Sequence, residues 1–184
     1  MISHASNEMR SRWALPLLRV MTGATVELSV QSENGIFFEL HWLEKNYVCP
    51  GDDCPACADN VARVKGYFCA LVSTGSGWQP VLVEATPSGV TRLYDQLRLE
   101  GCELKSGVRV TAFRRAKNRP VLFNLSGEAG PVDSTLSGDY RTLSACAVLF
   151  GLPLPERDEI LTDYGARAVP VARNQLIVAV RRGR

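Results

Sequence analysis

Four residues of this 184-residue chain carry its most specific chemistry: His41, Cys49, Cys54 and Cys57, spaced H-x7-C-x4-C-x2-C. Zinc is borderline-soft and takes thiolate and imidazole ligands tetrahedrally, and a C-x2-C step lets two sulfurs reach one metal from a tight turn. Pro50-Gly51 and Pro55-Ala56 stand where such turns need them. The surrounding run, EKNYVCPGDDCPACADN, is polar, acidic and too poor in apolar residues to order itself, so a metal would supply the missing ordering energy. Cys49, Cys54 and Cys57 are the clear candidates and His41 is the preferred fourth ligand. Cys69 is its competitor, but inside the apolar run YFCALV it reads as a small buried core residue. Four protein ligands leave no coordination position for water or substrate, so the expected ion is a structural Zn2+.

Other uses of these residues fit less well. A redox C-x2-C pair wants a βαβ context, whereas the flanks here read as strands and acidic turns. A zinc deaminase combines H-x-E with P-C-x-x-C; Asp53 precedes Cys54, and Glu44 misses the required spacing from His41 by one. With only His4 and His41 as histidines, no supported Ser/His/Asp or paired-carboxylate constellation and no Gly-rich phosphate loop, the chain is expected not to be an enzyme.

The elements that position these residues follow from periodicity. Residues 24–31 alternate apolar and polar, which predicts a half-buried strand; a turn at 32–35 and the run IFFELHW predict a second strand, the two forming a hairpin. GYFCALVS and WQPVLVE predict another pair, with Pro80 marking an edge or a strand that begins after it. Thr86-Pro87 reads as an N-cap followed by proline at the first helical position. Val90, Leu93, Tyr94 and Leu97 then predict an amphipathic helix that stops at Gly101. GVRVTAFRR and PVLFNLSG predict a third hairpin around residues 116–119. From Ser126 the character changes to two shorter helical stretches, the second starting near Pro155, and a strand-like end, NQLIVAVRRGR. The expected organisation is an N-terminal arm (1–23), a mainly β domain (24–125) with a zinc loop at 41–60, and a small α-rich C-terminal extension (126–184) ending in a strand or basic tail.

Twenty-one Lys and Arg against 19 Asp and Glu leave a net charge of +2, which excludes a general polycation and confines any nucleic-acid surface to a patch. Such a patch is readable. Lys105, Arg109, Arg114, Arg115, Lys117 and Arg119 follow one another with no acid among them. Alternation puts Arg109, Phe113 and Arg115 on one face, a mixture of cations and an aromatic ring that suits phosphates and stacked bases. A solvated strand face with a charged turn is the plainer alternative. Trp42 and Tyr47, flanked by polar residues, are the best exposed rings near the cysteine loop, with Lys45, Arg63 and Lys65 to supply cations beside them.

A hydrophobic content of 46% excludes a wholly disordered chain. No apolar run approaches the roughly 18 residues that cross a bilayer, and Pro16 and Arg19 interrupt the first apolar stretch, so neither a membrane span nor a signal peptide is expected. Six cysteines, three of them crowded into the zinc loop, read as thiols of a reducing compartment, with cytoplasmic location the expectation.

The order strand, strand, His and three Cys ending in C-x2-C, strand, strand, helix, strand, strand looks like an OB-type Greek-key barrel with an inserted zinc loop. Over roughly residues 24 to 125 it resembles the zinc-containing OB-fold single-stranded-DNA-binding proteins of T-even phages, whose ligands come in the same order. That resemblance implies His41, Cys49, Cys54 and Cys57 as ligands and a role in DNA replication. Spacings here are shorter, and the acidic tail of those proteins is replaced by a basic end. The expected function is non-catalytic binding of single-stranded nucleic acid, DNA first, without membrane association. A protein partner would dock on the C-terminal extension or the acidic zinc loop. The alternative is a zinc-stabilised adaptor or subunit of a larger assembly, with no nucleic-acid binding of its own.

Overall fold

The computed structural model describes residues 11–51, 54–102 and 107–155. Its elements run β1 (Leu17–Arg19), β2 (Thr25–Val30), β3 (Ile36–Leu43), β4 (Lys45–Val48), β5 (Arg63–Thr74), β6 (Gly77–Ala85), α1 (Pro87–Leu99), β7 (Val108–Phe113), β8 (Leu122–Ala129) and α2 (Asp139–Phe150). One mixed sheet holds every described strand, with a main path β1-β6-β5-β2-β7-β8 and with β3 pairing β5 and β4. Among the described residues only β1 and β6 pair in parallel. The mainly β character expected from the periodicity is present; closure into a barrel is not, because among the described residues the path ends at β1 and β8 without pairing them.

The central strand explains a further departure. β5 is twelve residues long and pairs β6 along one edge. On its other edge it carries β3 over its first half, through Ile36↔Tyr67, and β2 over its second, through Val30↔Ala70. β2 and β3 therefore lie end to end and do not form the expected hairpin. The segment between them is held by other elements. The amides of Gln31 and Ser32 donate to the Cys69 carbonyl at 3.1 and 3.4 Å, Ser32 Oγ accepts from the Cys69 amide at 3.1 Å, and Asn34 donates twice to the Asp139 carboxylate. The β5–β6 and β7–β8 hairpins form as read. Pro80 also behaves as read: β1 reaches β6 only from Leu82 onward, so the missing proline N–H falls where β6 has no outer neighbour.

Alternation along β5 creates two cores. Phe68 and Ala70 face α1, whose Val90, Leu93, Tyr94 and Leu97 are buried against them. Thr86 caps that helix by accepting from the Gly89 amide at 3.3 Å. Tyr67, Cys69 and Leu71 face the opposite way, with Ile36 and Phe38, onto Leu143 and Cys146 of α2. Phe150 closes that side, its ring 5.3 Å from Phe38 and 5.7 Å from Tyr67. The described part of the N-terminal arm is tied to the same layer, since Arg141 donates to the Trp13 carbonyl at 2.6 Å. The second C-terminal helix, the closing strand, Lys105 and His4 lie outside the described residues. No helix among the described residues is long and apolar enough to cross a membrane.

Val90 seats α1 by filling two notches. A Cβ at Gly66 would lie 2.7 Å from Val90 Cγ2, and one at Gly35 would overlap Val90 Cγ1. Gly66→Ala is accordingly expected to destabilise the protein by about 1–3 kcal/mol, as overpacking does in a filled core, measured as a lower urea midpoint at constant m-value. An unchanged midpoint would mean that α1 does not press on β5 in this way.

Candidate metal centre and adjoining cleft

Three short pieces of chain bring the cysteines to His41. The β3–β4 ladder pairs His41 with Tyr47 and Leu40 with Val48, and the next bond, from the Cys49 amide to the Glu39 carbonyl at 2.8 Å, continues it. Cys49 is thereby a diagonal neighbour of His41 on the same face of the hairpin. Pro55–Ala58 then forms a 3-10 turn with proline at its start, where a missing N–H costs nothing. In that turn the Cys57 amide donates to the Cys54 carbonyl at 3.1 Å. Residues three apart eclipse in such a turn, so both sulfurs point the same way.

The four ligand atoms lie within 4.8 Å of one another. His41 Nε2 is 3.5 Å from Cys54 Sγ and 3.4 Å from Cys57 Sγ, and the sulfurs of Cys49 and Cys57 are 3.6 Å apart. A tetrahedron with metal–sulfur bonds of about 2.3 Å and metal–nitrogen bonds of about 2.0 Å has S···S edges of about 3.8 Å and S···N edges of about 3.5 Å. Three of the six edges of the cluster thus have nearly the lengths of a tetrahedral site. None of the four is in a disulfide, and this set could hold a metal ion.

The electrostatics point the same way. The hydrogen bond with Cys49, together with partial desolvation and the neighbouring Cys54, pushes the Cys57 thiol up to about 12. Burial works to raise Cys54 as well, but amide hydrogen bonds from Ala56 and Cys57 outweigh it and leave that thiol lowered. Three sulfurs this close do not all ionise unaided; a cation among them is what makes the thiolates compatible. The Gly51 amide, 3.5 Å from Cys49 Sγ, offers that sulfur a further donor. His41 is almost fully buried and its Nδ1 has no hydrogen-bond partner. Its Nε2 is the nitrogen that faces the sulfurs of Cys54 and Cys57, so a metal in the cluster would be bound through Nε2, with Nδ1 carrying the ring proton.

Trp42 follows His41 and points to the opposite face of β3. It pairs with Asn46 across the hairpin, is 62% exposed, and borders a cleft of about 470 Å3. Asn60, just past the 3-10 turn, donates to the Trp42 carbonyl at 2.8 Å and so joins the cysteine loop to the cleft wall. Four of the residues lining the cleft are cationic, namely Arg19, Arg63, Lys65 and Arg114, against one carboxylate, Glu84.

No family model, no curated protein and no solved structure matches this chain.

The residues singled out from the sequence divide in space. Trp42, Arg63, Lys65 and Arg114 come together at the cleft, although Arg114 also braces its own turn by donating to the Lys117 and Arg119 carbonyls. Lys45 borders a smaller adjoining hollow of about 270 Å3, and its ammonium lies 5.1 Å from the ring of Tyr47, which is on the His41 face. Arg109 is elsewhere and is neutralised, 2.7 Å from the Glu27 carboxylate and 2.6 Å from that of Glu128. Phe113 is half-buried beneath the Arg115 guanidinium, and Lys117 and Arg119 are exposed in the β7–β8 turn. Sequence reasoning passed over Arg19, Asn46, Asn60 and Glu84. For Glu84 a signal existed, a lone acid within the apolar strand VLVEA.

Glu84 is buried and holds a lowered carboxyl: desolvation alone would raise it, but hydrogen bonds from Arg19 and Tyr67 and the charge of Lys65 outweigh that. Such a group contributes stability that is complete above its unfolded value and is lost as pH falls through the lower folded value. Melting temperature should therefore drop on the acid side of the ordinary carboxylate range, and Glu84→Gln should flatten that limb. An acid limb identical in the variant would show that Glu84 contributes nothing to it.

Proposed function

We propose that this chain is a zinc-stabilised module that binds single-stranded nucleic acid, DNA in the first instance, and performs no chemistry on it. The observation that carries this reading is the cleft, whose lining holds four cations and one carboxylate beside an exposed indole. Arg and Lys neutralise phosphates, and an unstacked base can lie on Trp42; duplex bases, already stacked, cannot. Zinc is the favoured ion because one imidazole and three thiolates are its usual structural set. On this reading the open sheet is an OB-like architecture with the zinc loop inserted between β4 and β5, and the ligand order is the feature shared with the T-even phage proteins. Unbridged cysteines suit a reducing, cytoplasmic setting.

A second reading, a zinc-stabilised adaptor, draws on the exposed Leu43, Tyr47, Val61 and Val64 around the cysteine loop. Fluorescence anisotropy separates the two. Labelled single-stranded oligonucleotides should bind more tightly than duplex, and affinity should fall with salt at a slope of roughly −0.7 per phosphate neutralised. Stoichiometric metal with no oligonucleotide binding would leave the adaptor.

A further inference from the structure

The cleft contains a carboxylate, the charge that a surface built for anions ordinarily excludes. Parallel register puts Arg19 of β1 opposite Glu84 of β6, and antiparallel register puts Tyr67 of β5 on its other side. Glu84 accepts from Arg19 Nε at 2.9 Å and from its terminal nitrogen at 3.4 Å, from Lys65 Nζ at 3.4 Å and from the Tyr67 hydroxyl at 2.8 Å. Four donors fill the lone-pair sites of two oxygens, so this carboxylate has no acceptor left for a ligand. The cations are not used up. Among the described residues, the Arg19 side chain, 52% exposed, has one terminal nitrogen unengaged, and that of Lys65, 37% exposed, has one of its three donors engaged.

Without the negative charge, two cations this close would repel each other and spread. With it, the triad keeps a net charge of +1 and a fixed geometry. Long cationic side chains lose rotamer freedom when they close on an anion, and a pair already immobilised has less to lose.

Resting on the reading of the cleft as a single-strand site, we propose that Glu84 is a positioning residue that holds Arg19 and Lys65 as a preformed clamp for phosphodiester oxygens. This brings Arg19, from the N-terminal arm, into the binding surface.

The decisive variant is Glu84→Gln, which keeps the shape and an acceptor for Tyr67 while making the cleft more positive. If net charge alone governs binding, a short deoxythymidine oligonucleotide binds this variant more tightly. A clamp gives the opposite result, a loss of roughly tenfold, the effect of having to immobilise two long side chains anew. Arg19→Gln should also weaken binding and make the salt slope shallower by about 0.7. Because Glu84 acts through Arg19, its substitution should matter less in the Arg19→Gln background, a coupling that independent sites do not give. Melting temperature and metal content, measured on every variant, identify any that misfolds. Equal or tighter binding by a folded Glu84→Gln variant overturns the clamp. Should that variant not fold, an unchanged affinity and salt slope in Arg19→Gln overturns it instead. Failure of the wild-type protein to bind any oligonucleotide removes the single-strand reading and the clamp with it, whereas wild-type binding with unaffected variants removes the clamp alone.

Discussion

Stripping the metal, or replacing Cys54 or Cys57 by Ser, is expected to cost more than about 4 kcal/mol of stability, the range in which loss of a structural metal falls. Total stabilities are only about 5–15 kcal/mol, so this would be the largest single effect in the molecule. The reason lies in how little else holds the loop. The turn Pro55–Ala58 buries none of its residues, and its ties to the sheet are few, chiefly the Cys49 bond to Glu39 and the Asn60 bond to Trp42. Elemental analysis should give one metal per chain in the wild type. Chelation should lower the melting temperature and abolish amide protection around residues 49–60. Cys102→Ala, remote from the cluster, should leave metal content unchanged. A melting curve indifferent to chelation would refute a structural ion here.

The second large effect is expected at the cleft. Trp42→Ala should weaken single-strand binding by about 1–3 kcal/mol, roughly 5- to 150-fold, which is what one stacked base contributes. Because the side chain is mostly exposed, its removal should barely move the melting temperature. Arg63→Ala should weaken binding across sequences and make the salt slope shallower by about 0.7, as one phosphate contact does. Arg109→Ala supplies the internal control: its charge is already offset by Glu27 and Glu128, so affinity should hold. If Arg109→Ala weakened binding and Trp42→Ala did not, the binding surface would lie on the β7–β8 hairpin rather than in the cleft.

What could be read from the chain was whatever depends on local pattern. A period-two run marked β2, apolar runs bounded by turn residues marked β3, β5 and β6, the cap and the i, i+3, i+4, i+7 apolar residues marked α1, and short spacing marked the candidate metal ligands, because all four come from 17 consecutive positions. What escaped depends on distant pairing. β1 has three residues, too few to show a period, and exists because β6 offers it an edge. The turn signal at 32–35 was real, but it sends the chain along β5 instead of back on β2, a choice made by Cys69, Tyr94 and Asp139. The cleft joins residues as far apart as Arg19 and Arg114, and no spacing rule relates them. The ion-pair partners of Arg109, Glu27 and Glu128, could not be read from local spacing either.

The fit of Val90 into the notches at Gly35 and Gly66 also constrains how this chain can diverge. Volume at these three positions is a shared quantity: a methyl group added at 66 finds room only if one is withdrawn at 90. Val90→Ala alone leaves a void and Gly66→Ala alone a clash, so the double substitution should be less damaging than the sum of the two. Homologous chains that have lost one of the two glycines should therefore carry a smaller side chain at the helix position, and positions 35, 66 and 90 should drift together while their neighbours change independently.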